Sequence, residues 1–268
     1  GNPDAEAPSE AERQAVYSDD WLMVLPFEEG GGVDVYDQTM YENHGTVENT
    51  GGDPNWIEGA DGWYVTLDPG SGQHIRCPHL SEISYVNDYS FIAYAKSDYI
   101  GTNRRTLIGN SNGGSDRNVM GMDDGEMGMG YYDGGNWHGR AGNITAGWHH
   151  WVGTNAAGSL QFFEDGIEKT SWFSPYMSGD NTWLYIGYDG TYSSYWDGSV
   201  VFVGATSRVL SEDEISAHKY MLTNPAAWAT AGALQDVHEI SALVRADGES
   251  HDVEAWNTYE QVPIGADY

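Results

Sequence analysis

The stretch from Trp183 to Leu222, WLYIGYDGTYSSYWDGSVVFVGATSRVLSEDEISAHKYML, constrains the fold more than any other part of the chain. Its first residues, Trp183-Leu184-Tyr185-Ile186-Gly187-Tyr188, have the aromatic and β-branched content of a strand, and Asp189-Gly190 is a turn dipeptide. Val200-Val201-Phe202-Val203 carries no polar residue at alternate positions, so both of its faces should be covered, as in the middle of a sandwich. Ser211-Glu212-Asp213-Glu214 then has the spacing of a capping box, in which the Ser211 hydroxyl accepts from the Glu214 amide and the Glu214 carboxylate accepts from the Ser211 amide. Leu210 and Ile215 flank it as a hydrophobic staple, and Asn224-Pro225 ends the helix. A buried strand delivered straight into one well-capped helix is a strong local instruction in a chain whose other segments read as strands and turns.

Those other segments are short. Trp21 to Phe27 reads as the first strand, broken by Gly30-Gly31-Gly32. Trp63 to Leu67 and Gln73 to Cys77 are expected to pair across Asp68-Pro69-Gly70-Ser71-Gly72 as a hairpin. Tyr89 to Ala95 alternates like a sheet strand. Thr106 to Gly109 and Asn118 to Gly121 flank a Gly/Ser/Asn loop, and Trp148 to Thr154 and Leu160 to Glu164 flank Asn155 to Ser159. With 35 glycines and 13% aromatic residues among 268, the composition favours an all-β, two-sheet antiparallel sandwich with one helix near 211–223. Residues 1–20 form an acidic arm with Pro3 and Pro8, 21–224 the main domain, and 225–268 a small-residue linker followed by a two-stranded ribbon expected to dock on the sandwich or on a neighbouring subunit.

Four motifs in order carry a family resemblance. Asp37-Gln38-Thr39-Met40-Tyr41-Glu42-Asn43-His44-Gly45-Thr46, Thr145-Ala146-Gly147-Trp148-His149-His150-Trp151-Val152, Leu160-Gln161-Phe162-Phe163-Glu164-Asp165-Gly166, and the final strand with its Leu210-Ser211 helix start resemble laminin-G-like, concanavalin A-like jelly rolls. The resemblance spans roughly Trp21 to Leu222. It implies a jelly-roll sandwich, but this fold hosts lectins, enzymes, adhesion modules and structural parts alike.

Charge narrows the partners. Acidic residues number 41 against 11 basic, a formal net charge of −30. A field of that sign repels nucleic acid and anionic membrane surfaces, so neither is an expected partner. It fits a highly solvated, salt-adapted surface of a marine or halophilic setting. No run approaches the ~18 apolar residues of a membrane span, so membrane insertion is not expected. The chain carries one cysteine, Cys77, read as a small buried residue beside a strand.

Catalysis and metal binding find little footing. Glu164-Asp165-Gly166-Ile167-Glu168 is the nearest approach to a strand of paired carboxylates, but Asp165-Gly166 reads as the hairpin turn itself. Glu212, Asp213 and Glu214 are explained by capping and the helix dipole. His149 and His150 are adjacent, so on a strand they point to opposite faces and cannot share a metal. The resemblance implies a Ca²⁺ site near Asp37 and Asn43, but Val201 and Phe202 stand where the family commonly has two aspartates. A hard-cation site short of carboxylates is weak, and no cofactor is expected. Asp123-Asp124-Gly125-Glu126 lacks the spacing of a calcium loop and reads as a solvated turn.

Aromatic residues in loops remain. Tyr131, Tyr132 and Trp137 lie in one Gly/Asp-rich segment, with His138 beside them, and Tyr188, Tyr192, Tyr195 and Trp196 in another. Sugar C–H faces stack on such rings while nearby Asp and Asn accept hydroxyl bonds, so Tyr131, Tyr132, Trp137, Tyr192, Tyr195 and Trp196 are the candidate glycan-binding residues. The competing reading is that these rings cover sheet edges or a subunit contact. The sequence is read first as a non-catalytic structural or decoration element of a large surface assembly, such as a virion, with other subunits as partners and glycan adhesion as an added property. The alternative is a free carbohydrate-binding module or lectin bound to cell-surface glycans, and the third reading is a glycan-active hydrolase or lyase. The expected location is extracellular or on a particle surface.

Overall fold

A computed structural model describes residues 17–48, 55–59, 62–84, 86–111, 116–133, 137–138, 142–169, 183–189 and 194–223. The acidic arm up to residue 16 and everything after Thr223, including the expected ribbon, lie outside the described residues. The strands in chain order begin with β1 (Trp21–Leu25), β2 (Asp34–Val35), β3 (Gly45–Glu48), β4 (Asn55–Gly59), β5 (Gly62–Leu67) and β6 (His74–Cys77). Next come β7 (Tyr89–Ser97), β8 (Arg105–Ser111), β9 (Asp116–Asp123), β10 (Glu126–Asp133), β11 (Trp137–His138) and β12 (Gly142–Asn143). β13 (Gly147–Ala156), β14 (Ser159–Glu164), β15 (Ile167–Glu168), β16 (Trp183–Ile186), β17 (Gly198–Thr206) and the helix α1 (Glu212–Thr223) complete the order.

Two antiparallel sheets face each other. One runs β15-β14-β13-β7-β17-β5-β4 with β1 paired to β17, and the other runs β11-β10-β9-β8-β16-β6-β3-β2 with β12 paired to β10. The turns between sequential strands explain much of the register. Asp124-Gly125, Ala157-Gly158 and Asp165-Gly166 all hold positive φ at both residues, the hairpin geometry whose twist matches that of the flanking strands. The acidic segment 123–126 is therefore the β9–β10 turn.

One expected hairpin is not formed. β5 and β6 belong to different sheets, so residues 68–73 are a corner between layers. Asp68 makes the corner: its Oδ1 accepts from Gly70 N at 2.8 Å and its Oδ2 from Ser71 Oγ at 2.7 Å, and the short 3₁₀ turn it caps ends at Gly72 with φ +66°. The local signals of a tight hairpin and of a capped corner are the same residue types; the sheet each strand joins is decided by burial elsewhere.

The centre of the first sheet is β7. It pairs with β13 from Tyr89↔Asn155 to Ser97↔Gly147 and with β17 from Ser90↔Thr206 to Ser97↔Gly198. The β17 register slips between Val200 and Phe202, which puts Val200 and Val203 on one face: both enter the inter-sheet core with Phe91, Ala93, Leu107, Ile108, Met120, Met129, Trp151 and Trp196. Phe202 joins a second cluster on the outer face, with Trp21, Val24, Ile92, Val152, Phe163, Leu210, Ile215, Met221 and Leu222. This outer face is where α1 lies.

The capping box forms as the spacing requires. Glu214 Oε2 accepts from Ser211 N at 2.8 Å, and Glu214 N donates to Ser211 Oγ at 3.3 Å. A long-range partner adds to it: Arg208 donates from Nη1 and Nη2 to the two Glu214 oxygens at 3.0 and 2.7 Å, and from Nε to Asp20 Oδ2 at 2.9 Å. Burial alone would raise the Glu214 pKa, but the Arg208 and Ser211 bonds outweigh it and hold the carboxyl at about 2. The arginine thus ties the helix start to the residues just before β1.

Beneath the helix sits a buried imidazole pair. His150 Nε2 lies 3.1 Å from His218 Nδ1, with Trp21 stacked on His218 and the Phe202 ring edge-on to it. Burial lowers the pKa of both; that of His218 falls to about 3, and the closeness of His218 lowers that of His150 further, against a smaller opposing pull from Asp165 and with a still smaller push from Lys219. Both rings are therefore neutral in the folded state at pH 7, one donating to the other.

These contacts make the stability measurable at two points. Arg208→Ala leaves a buried carboxylate without its cation, and unfolding in urea should show a loss of about 2–3 kcal/mol; a midpoint equal to wild type would contradict the latch. The histidines have folded pKa values below the ordinary 6.5, so the unfolded chain binds the extra protons and their stabilisation, complete above 6.5, is lost as pH falls. The expected slope is up to roughly 1.4 kcal/mol per pH unit per histidine. His149, whose pKa is raised by its bond to Asp165, acts in the opposite sense, and the stabilisation from Glu214, complete above about 4.5, is lost only as pH falls below it. Urea midpoints at pH 7 and pH 5 should differ less in His218→Leu than in wild type, and an equal difference would count against the pair.

Candidate functional site

α1 covers part of the outer face of one sheet, and the outer face of the other is free of it. There β3, β6 and β16 lie side by side, with Glu48 opposite His74, Thr46 opposite Arg76 and Arg76 opposite Tyr185. Val47, Ile75, Cys77, Leu184 and Ile186 are buried in the core, so the alternate residues Glu48, His74, Arg76, Trp183 and Tyr185 stand on the outer face. Gly187, with φ +82°, turns the chain after β16 and brings Tyr188 over the sheet. Gly109, opposite Tyr185, makes room: a Cβ there would sit 2.7 Å from the Tyr188 carbonyl oxygen.

The result is a cluster of rings. Tyr188 and Tyr195 stack at 4.7 Å with planes 11° apart, and His74 lies 4.8 Å from Tyr188 and 6.0 Å from Tyr195. Tyr185 meets Tyr188 edge-on at 5.4 Å and His74 at 5.7 Å. The Arg76 guanidinium lies 4.7 Å from the Trp183 ring, which is 41% exposed. Glu48 faces both Arg76 and His74, 2.9 Å from Arg76 Nη2 and 3.3 Å from His74 Nε2. Burial raises the pKa of Tyr185, with a smaller push from Glu48, and takes that of Tyr188 to about 12, with smaller pushes from Tyr195 and Asp189. Both phenols therefore stay protonated at neutral pH and can donate hydrogen bonds. Flat rings, hydroxyl donors and a carboxylate acceptor on one exposed face are the groups that hold a sugar.

The loop aromatics expected to bind glycans fall unevenly on this face. Tyr195 belongs to the ring cluster. Trp196 does not: it is 0% exposed, its indole N–H donates to the Lys96 carbonyl at 3.2 Å, and its ring meets Trp151 edge-on in the core. Adjacent residues of an extended segment point opposite ways, so with Tyr195 outward Trp196 turns in. Tyr131 and Tyr132 lie on β10 and Trp137 on β11; the backbone register runs Trp183↔Ser111↔Arg117↔Tyr132↔Trp137, one row across five strands of the same sheet. The side chains of Tyr131, Tyr132 and Trp137 lie outside the described residues, as does Tyr192 altogether. Glu48, His74, Arg76 and Tyr185 are not singled out by the sequence motifs, although the polar–apolar alternation of Gln73 to Cys77 already places His74 and Arg76 on one face.

The carboxylates considered for calcium or catalysis have structural employment. Asp37 is 0% exposed and its two oxygens accept four hydrogen bonds: Oδ1 from Val24 N at 2.8 Å and Thr39 N at 3.0 Å, and Oδ2 from Thr39 Oγ1 at 2.7 Å and Asn43 N at 2.8 Å. Asn43 Nδ2 donates to the Leu22 carbonyl at 2.7 Å, and His44 Nδ1 accepts from Asp37 N at 2.9 Å. This motif ties the β2–β3 connection to β1. Val201 and Phe202 offer no side-chain oxygen ligand, and among the described residues there is no group of three His, Cys, Asp or Glu that could hold a metal. The residues present do not fit a calcium ion at this position. Asp165, at the β14–β15 turn, accepts from His150 N at 3.0 Å and lies 2.8 Å from His149 Nδ1, while Glu164 accepts from the Trp151 indole at 3.3 Å. They serve the hairpin and the core edge.

The comparisons with known proteins agree with this architecture. The solved structure of domain 4 of AbnA, a GH43 extracellular arabinanase from Geobacillus stearothermophilus in complex with arabinotriose, is 18% identical with a TM-score of 0.59, over 74% of this chain and 97% of that one. Trypanosoma rangeli sialidase is 14% identical with a TM-score of 0.57, over 78% of this chain and 34% of the sialidase. A botulinum neurotoxin type C structure, described by its interaction with two ganglioside molecules, is 10% identical with a TM-score of 0.58, over 76% of this chain and 51% of that one. This chain thus spans about a third of the sialidase and half of the toxin chain. No curated protein sequence matches it significantly. The laminin-G-type family of the concanavalin A-like lectin/glucanases superfamily matches residues 69–216, more than half of the chain, and the protein belongs to that family.

Proposed function

We propose that this domain is a non-catalytic glycan-binding protein that takes its ligand on the outer face of the nine-stranded sheet, around Trp183, Tyr185, Tyr188 and Tyr195. The observation that carries the reading is the ring cluster itself: three tyrosines and a tryptophan, with Glu48, His74 and Arg76 between them, gathered on the face that α1 leaves open. The arabinotriose bound in the arabinanase domain and the gangliosides of the toxin structure lend it support as ligands of the same fold class. A binding rather than catalytic role is supported by the use of Asp37, Glu164 and Asp165 as hydrogen-bond acceptors within the fold. An extracellular setting suits such a ligand, and among the described residues no helix is long and apolar enough to cross a membrane. The expectation of a place in a larger assembly rests on the two terminal segments, which lie outside the described residues.

A glycan microarray followed by calorimetry on the best ligand tests the proposal. Trp183→Ala, at an exposed position, should weaken binding at least ~10-fold, equivalent to ~1.4 kcal/mol, with little change in melting temperature. Trp196→Ala should behave oppositely, losing about 3–5 kcal/mol of stability through a core cavity. Binding that survives Trp183→Ala and Tyr185→Ala unchanged would remove this face from consideration.

A further inference from the structure

We propose that Glu48 sets the ligand class of this face, restricting it to uncharged oligosaccharides by occupying the Arg76 guanidinium and the His74 ring nitrogen that a carboxylate-bearing sugar would need. The inference rests on the reading of the sheet face as the glycan site and goes beyond it by naming what the site rejects.

Acidic sugars such as sialic acids are ordinarily held through their carboxylate by an arginine fork or a protonated base. Arg76 is the described arginine in the ring cluster, and its Nη2 is already 2.9 Å from Glu48 Oε1. Its guanidinium plane is also engaged, 4.7 Å from the Trp183 ring. The imidazole of the cluster, His74, has the same carboxylate 3.3 Å from Nε2 and the Gly72 carbonyl 2.9 Å from Nδ1. Both nitrogens therefore face protein acceptors. The phenols of Tyr185 and Tyr188 are neutral donors and add no positive charge. Around this locally balanced patch the chain carries a formal charge of −30, so an anionic ligand approaches against the field of the whole molecule. A neutral sugar feels none of this: it stacks on the rings and exchanges hydroxyl hydrogen bonds with the phenols and with Glu48.

Glu48 does this without being a pillar of the fold. Its side chain is 35% exposed at the end of β3, and replacing the carboxylate by an amide keeps its size. A glutamine oxygen accepts from Arg76 more weakly and without charge, so a ligand carboxylate can displace it, and a negative charge leaves the patch.

The test compares binding of oligosaccharides with a shared core, with and without a terminal sialic acid, and of arabinotriose, by microarray and calorimetry on the full chain. Wild type should bind the neutral members at least ten times more tightly than their sialylated counterparts. Glu48→Gln should raise the sialylated-to-neutral affinity ratio at least fivefold, and Glu48→Gln/Arg76→Gln should return it towards wild type. Salt supplies a measurement free of any variant: residual binding of a sialylated glycan to wild type should strengthen between about 20 and 500 mM NaCl as repulsion is screened. Preferential binding of sialylated glycans by wild type, weakening of that binding with salt, or an unchanged ratio in Glu48→Gln would overturn the assignment while leaving the glycan site standing. Absence of binding to any sugar would overturn the site and this inference together.

Discussion

The structure depends on β17 being buried on both sides. Val200 and Val203 close the space between the sheets, Phe202 anchors the outer layer, and the one-residue slip at Val201 is what puts Val200 and Val203, three residues apart, on the same face. A strict alternation would leave Val200 and Val203 on opposite faces. The helix that follows is short, and a 12-residue helix has little stability of its own, so its persistence comes from the apolar face it lays on Phe202, Val152 and Ile92 and from the Arg208–Glu214 bond at its start.

The part of this that is local in sequence is legible from the residues alone. The capping box, the staple residues and the buried strand sit within about twenty residues of one another, and each has a spacing that admits few alternatives. The same holds for the β13–β14 hairpin, whose strands are joined by two residues at positive φ. What escapes a reading of the residues is decided at long range. Asp68 to Gly72 carries hairpin residues but joins two sheets, because β5 finds β17 and β6 finds β16 far along the chain. Asp37 has the look of half a cation site, and is a four-bond knot whose most telling partner, Val24, lies 13 residues back.

The candidate site shows the same division more sharply. Tyr195 and Trp196 are neighbours with equal claims on sequence grounds, and geometry allows one of them outside. The Trp151 ring, far back on β13, and the Lys96 carbonyl on β7 receive the indole inside. The ring-bearing face draws on β3, β6, β16 and the β16–β17 connection, so its residues are spread from Glu48 to Tyr195. Composition identifies the right kind of residue, aromatic and surrounded by glycine, but assembly is the work of strand order.

The two sheets have been given different work. One carries the helix, the imidazole pair and the tie to the β1 approach on its outer surface; the other leaves its outer surface to Glu48, Arg76 and the rings. Because the inward side chains of β3, β6 and β16 are anchored independently of the outward ones, alternate positions of each strand answer to separate selective demands. Drift at the outward set can then re-letter what the surface reads, generation after generation, with the interior as an unchanged frame.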